Sequence, residues 1–125
     1  MSAVTLLQWS ATTRTDPARL DRIYDVLGPE KGEQAISRTL GKLAVELTAL
    51  HDLRETDSYF EMIAHARRVA SLARGIGLIE VADAARHLRT CAEQSEDVAL
   101  EAVLARLERG FDIAIGHVWE SRARV

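Results

Sequence analysis

Residues 57–78 read DSYFEMIAHARRVASLARGIGL, and their apolar positions decide the fold class. Tyr59, Met62, Ile63, Ala66, Val69, Ala70, Ala73 and Ile76 recur at three and four rather than at two, the repeat of a helix with one buried face. The spacing predicts a helix from Thr56 or Asp57 to about Arg74, ended by Gly75 and Gly77 in a tight helix–helix corner. The same pattern continues outward in both directions. Upstream, Ala35, Ile36, Leu40, Leu43, Ala44, Leu47 and Leu50 mark a long amphipathic helix from Pro29 to about His51. Before it, Thr15-Asp16-Pro17 places a capping side chain ahead of a proline, starting a first helix over about 17–27 that stops at Gly28. Downstream, Leu78, Val81, Ala84, Ala85, Leu88 and Ala92 form the face of a fourth helix, broken by Gln94-Ser95-Glu96-Asp97. Val98, Leu100, Val103, Leu104, Leu107, Phe111, Ile115 and Val118 carry a fifth helix towards Trp119. The fold class is therefore all-α. Short connections between long helices favour antiparallel neighbours, so the expected architecture is an up-and-down antiparallel four-helix bundle with an additional short N-terminal helix packed across it. Residues 1–14 are expected to form an irregular or one-turn lead, with Val4, Leu6, Leu7 and Trp9 folding back onto a single domain over 15–125.

Composition narrows the function classes. The chain has 125 residues, 47% hydrophobic and 28% charged, with 16 Lys and Arg against 19 Asp and Glu. A chain of this size buries enough surface to need neither disulfides nor a structural metal. The lone Cys91 has no internal partner, which fits a reducing, cytoplasmic setting. No apolar run approaches the ~20 residues of a membrane span, and the first residues lack the basic start of a signal peptide. A net charge of −3 gives no footprint for nucleic acid. The four histidines, His51, His65, His87 and His117, are scattered, and only His87 with Cys91 has helical metal-ligand spacing; one pair is not a site, so no metal is expected. The glycines of Arg74-Gly75-Ile76-Gly77 follow a helix rather than a strand and lack the Lys-Ser/Thr ending of a phosphate loop. No nucleophile elbow or strand scaffold is present for hydrolysis, and no cofactor is implied. Trp9 and Trp119, near the two ends, are expected to pin the termini.

What remains is the stretch from Ile63 to Leu78, which resembles the histidine-containing phosphotransfer (HPt) domains of two-component phosphorelays. In that family a bundle helix carries Ala-His-x-(apolar)-Lys-Gly-(small)-(small), followed about ten residues after the His by a Gly that opens the next helix. The wider layout is similar over about residues 17–118: a short first helix ending in Leu27-Gly28, a long Leu-rich second helix, an acidic cap and then the motif helix. The resemblance implies a signalling protein whose partner is the receiver domain of a response regulator or a hybrid histidine kinase. It also implies, at most, a phosphohistidine transfer intermediate rather than a turnover enzyme.

The motif fits in two registers. Aligned on His65, it places Ala64 before the acceptor, Arg68 at the position of the family's Lys and Gly75 at the family's distance. That register puts Arg67 where an apolar residue belongs and Val69 where Gly belongs, and calls for burial of Ile79 and Asp83. Aligned on Gly77-Leu78, the motif has Val69 at the apolar position, Ala70 and Ser71 at Lys-Gly, and the fourth helix in its natural apolar spacing; Arg67 then replaces the acceptor. At about 100° per residue, Arg67 and Ser71 point towards solvent while His65 sits at the edge of the apolar stripe. The resemblance thus implies His65 as phosphoacceptor with Arg68 as the phosphoryl-stabilising cation, and Arg67, Ser71, Arg74 and Arg86 as partner-binding residues. Arg89 adds to that positive charge. The alternatives are a pseudo-HPt binding module without phosphotransfer, with His65 half-buried beside Met62 and Val69, and an unrelated helical scaffold. His87 is expected to be exposed but has no cation one turn on.

Overall fold

The computed structural model describes the backbone of residues 15–123 and the side chains of residues 15–118. Among the described residues five helices follow one another: α1 (Pro17–Leu27), α2 (Pro29–Glu55), α3 (Tyr59–Gly75), α4 (Ile79–Glu93) and α5 (Asp97–Ala123). There is no strand among the described residues. No described helix is long and apolar enough to cross a membrane. The lead with Trp9, and Trp119's side chain, lie outside the described residues.

α1 begins as its sequence requires. The Asp16 carboxylate accepts from the Ala18 N–H at 3.2 Å, and Pro17 fills the first turn, where its missing N–H has no role. α2 is one turn longer than the apolar pattern indicates. Leu53 continues the stripe half-buried, and Arg54 is held by Asp57 at 2.8 Å and by Glu101 of α5 at 2.6 Å. Thr56 and Asp57 consequently belong to the corner that ends α2, and α3 starts at Tyr59 with Ser58 as its cap position.

The three corners joining α2 to α5 share one geometry. Each helix ends in a residue of positive φ: Asp57 (53°), Gly77 (78°) and Ser95 (52°). The next N–H in each case reaches back to the last turn, Ser58 to the Leu53 carbonyl (3.0 Å), Leu78 to Ala73 (2.8 Å) and Glu96 to Cys91 (3.0 Å). This is the Schellman closure, which satisfies orphan carbonyls and turns the chain within two residues. At Gly77 a side chain is excluded twice over. A Cβ there would lie 2.6 Å from the Asp16 carbonyl oxygen, and the Gly77 carbonyl accepts from the Asp16 N–H at 2.7 Å, tying the start of α1 to the α3–α4 corner. Arg19 reinforces the tie by donating from Nε to the Gly75 carbonyl.

Sequential helices pack pairwise, α2 also touches α5, and α1 rests on α2. α3 and α4 make the most intimate pair because the facing positions are small: Ala66, Ala70 and Ala73 on one helix, Ala82, Ala85 and Ala92 on the other, all buried. Leu43, Leu50, Met62, Leu88, Leu100 and Leu107 fill the centre with no exposed surface. Each such side chain contributes about 1.5–3 kcal/mol by leaving water.

Candidate functional site around α3

α3 presents two faces to the surface, and the residues singled out from the sequence divide between them. Met62, Ala66, Val69 and Ala73 point inward. Arg67, Ser71 and Arg74 follow at spacings of four and three along the exposed ridge. His65 lies on the flank facing α2, its side chain 25% exposed.

His65 is held by a partner that sequence reading missed. Its Nδ1 is 2.7 Å from Oε1 of Glu46 on α2, and Arg68 Nε donates to the same oxygen at 2.9 Å. A carboxylate can only accept, so Nδ1 carries the proton and Nε2 is left with its lone pair when the ring is neutral. Arg68 Nη2 is 3.1 Å from Nδ1 and 3.5 Å from Nε2. The two in-plane nitrogen directions diverge, so one donor cannot satisfy both, and the guanidinium sets its positive charge against the imidazole. Glu46 is shielded, with 16% of its side chain exposed. Burial pushes its carboxyl pKa up, but the hydrogen bonds and charges of Arg68 and His65 outweigh this and hold it below the ordinary value. The one legible signal for Glu46 is its place beside Leu43, Leu47 and Leu50, at the margin of a buried stripe.

Next to this triad, a cleft of about 600 Å³ opens between α2 and α3. Arg38, Lys42 and Arg68 supply positive charge around it, and Val45 and Leu72 supply apolar surface. On the other side of the ridge, between α3 and α4, Arg67, Ser71, Arg74 and Arg86 come together with Arg89 around a smaller cleft. Ser71 borders both. The four positions expected to bind a partner thus share one cleft, whereas His65 and Arg68 sit apart on the α2 side.

The helix packing also bears on the two registers of the motif. Leu78, Val81, Ala84, Ala85 and Leu88 are all buried, the pattern of the Gly77-Leu78 register. Arg67, which the His65 register places at an apolar core position, is exposed, and Ile79 and Asp83 are only partly buried. His87 is exposed on α4 and finds Arg106 of α5 at 3.3 Å. Cys91 is buried, and burial with the Glu96 charge pushes its thiol pKa up against the smaller pull of Arg106, away from the thiolate a metal needs. No group of three or more metal-ligating side chains occurs among the described residues.

No family model and no curated protein sequence matches the chain. A solved structure does: the histidine-containing phosphotransfer protein B (HptB) from Pseudomonas aeruginosa PAO1, with a TM-score of 0.82, 17% identity, and coverage of 90% of this chain and 96% of that one. At that identity the likeness is one of architecture, and it extends over nearly the whole of both chains. The five helices around this buried core have the fold of a histidine-containing phosphotransfer protein.

Proposed function

We propose that the chain is a phosphorelay signalling module that docks a receiver domain, of a response regulator or of a hybrid histidine kinase, through the exposed ridge of α3 and its neighbours on α4. In this reading it works as a pseudo-HPt protein in the cytoplasm, binding without accepting a phosphoryl group. The four long helices are taken to run up and down as an antiparallel bundle, a reading supported by the tight corners and the α2–α5 contact. The observation that carries the functional reading is the exchange of roles on α3. The exposed mid-helix side chain is Arg67, while His65 is three-quarters shielded and engaged by Glu46 and Arg68. An acceptor must bring its nitrogen within in-line reach of an aspartyl phosphate on another protein, which presentation at the rim of α2 impedes.

One specific observation favours a second reading. The Glu46 contact fixes the His65 tautomer with Nε2 unprotonated, as a nucleophile requires. In that reading Nε2 attacks the acyl phosphate, the P–N bond forms as the P–O bond to the carboxyl group breaks, and the carboxylate leaves on the receiver. Arg68 stabilises the phosphoryl charge. The two are separated by incubating radiolabelled, phosphorylated receiver domains from the same genome with the wild-type chain and with His65→Gln, while measuring binding by calorimetry. The docking reading expects saturable binding of at least one receiver to both proteins and label on neither. Label on the wild type alone would establish His65 as acceptor. Absence of binding to every receiver would reject both readings.

A further inference from the structure

The α3–α4 cleft is lined chiefly by arginine. It is about 150 Å³ in volume and bordered by four arginines, Arg67, Arg74, Arg86 and Arg89, with no carboxylate in its lining. This concentration occurs in a chain of net charge −3. Arg67 and Arg74 have no acidic partner among the described residues. Arg86 is paired with Asp83 at 2.5 Å, outside the lining. The nearest carboxylate oxygen to Arg89 Nε belongs to Glu93, at 3.9 Å, beyond hydrogen-bond range; that Nε–H is shielded from solvent and makes no hydrogen bond.

Arg67 and Arg74 add two uncompensated guanidinium charges to those of Arg86 and Arg89 around one small space, and a buried donor without an acceptor is costly. Both penalties are removed by the same guest, an oxyanion offering several acceptor oxygens to planar, forked donors. The walls leave room for it, because Ala66 and Ala70 keep the floor small and the Ser71 hydroxyl adds a further donor. The volume matches about five water molecules at ~30 Å³ each and falls well below the ~300 Å³ of a site for a drug-sized ligand. It suits a single tetrahedral group.

We propose that this cleft is a phosphoryl-binding site, holding a phosphate dianion by its arginines without covalent transfer. The inference rests on and deepens the docking reading, since Arg67, Ser71, Arg74 and Arg86 belong to both and the guest can be a phosphoryl group carried by a partner, but the site is defined by its own lining. It is tested with no receiver present, so failure of docking and failure of the site are separate results.

The full chain, labelled with ¹⁵N at arginine, is titrated with inorganic phosphate and with phenyl phosphate while the Nε–Hε resonances are followed. Acetate at matched ionic strength is the control. Saturable shifts confined to Arg67, Arg74, Arg86 and Arg89 are expected, with the half-saturation concentration rising about tenfold for each of Arg74→Gln and Arg89→Gln. Tighter binding of phenyl phosphate assigns the site to a carried phosphoryl group, and tighter binding of inorganic phosphate assigns it to the free ion. Linear, unsaturable shifts, equal shifts with acetate, or an equal response at Arg38 in the α2–α3 cleft would overturn the proposal. The wild-type titration stands even if a variant fails to fold.

Discussion

Glu46 is the residue on which the α2–α3 flank depends. Its carboxylate receives a histidine and an arginine from α3 on a single oxygen, in a shielded position where both hydrogen bonds are charge-assisted. Its folded pKa lies below the ordinary 4.5, so in the acid range the unfolded chain takes up a proton more readily than the folded one. The stability this supplies is complete above about pH 4.5 and is lost as pH falls through the lowered folded value. Glu46→Gln is therefore expected to cost about 1–2 kcal/mol at neutral pH, towards the low end because Arg68 is 53% exposed. It is also expected to flatten the fall in urea midpoint below pH 4.5. An unchanged acid limb would mean that the triad does not stabilise the fold. The rim position of His65 was legible from helical angles alone. Its partner was not, because a residue nineteen positions earlier is brought to it only by the relative rotation of two packed helices.

At the scale of the element, the corners carry the information. Gly75 and Gly77 announce the end of α3, and the structure assigns the positive-φ position to Gly77, while Gly75 is the last residue of the helix. Asp57 and Ser95 occupy the same backbone state without glycine's freedom, which is why the α2–α3 boundary was misplaced from sequence: Asp57 reads as a helix start and acts as a helix stop. Two substitutions separate these cases. Ser95→Gly relieves a left-handed residue whose side chain is exposed, and is expected to stabilise by about 0.5–1 kcal/mol after the entropy that glycine adds to the unfolded chain. Asp57→Gly is expected to gain less, because it also removes the carboxylate 2.8 Å from Arg54. Gly77→Ala runs the other way, at about 2–4 kcal/mol of destabilisation, since the strained φ adds to the collision with the Asp16 carbonyl. Urea unfolding of the three variants checks the order, and a Ser95→Gly variant weaker than wild type would contradict the account.

Which side chain α3 shows to a partner is a property of the whole molecule, because the rotation of that helix is set by everything packed against it. Met62, Val69 and Ala73 are drawn inward by Leu43, Leu50, Leu88 and Leu107, and the Gly77 corner then delivers Leu78 and Val81 into the same core. With those positions buried, residue 67 has to face water, and no local change at residue 65 can rotate the helix without exposing several fully buried side chains at about 1.5–3 kcal/mol each. The all-helical layout was legible because its periodicity repeats in every segment. The competition between the two motif registers was not resolvable there, since it turns on which apolar face the other helices cover. The same reasoning makes a prediction about gain of activity. If presentation is what the wild-type chain lacks, Arg67→His places an imidazole on the exposed ridge, beside Arg74 and Ser71, at no cost to the core. It is expected to take label from a phosphorylated receiver that the wild type binds without labelling, and to do so equally in the presence of His65→Gln. Label that disappears with His65→Gln in the Arg67→His background would instead return the chemistry to the α2 flank. Label on neither protein, with receiver binding retained, would mean that the docked geometry keeps residue 67 from in-line approach and that exposure alone does not make an acceptor.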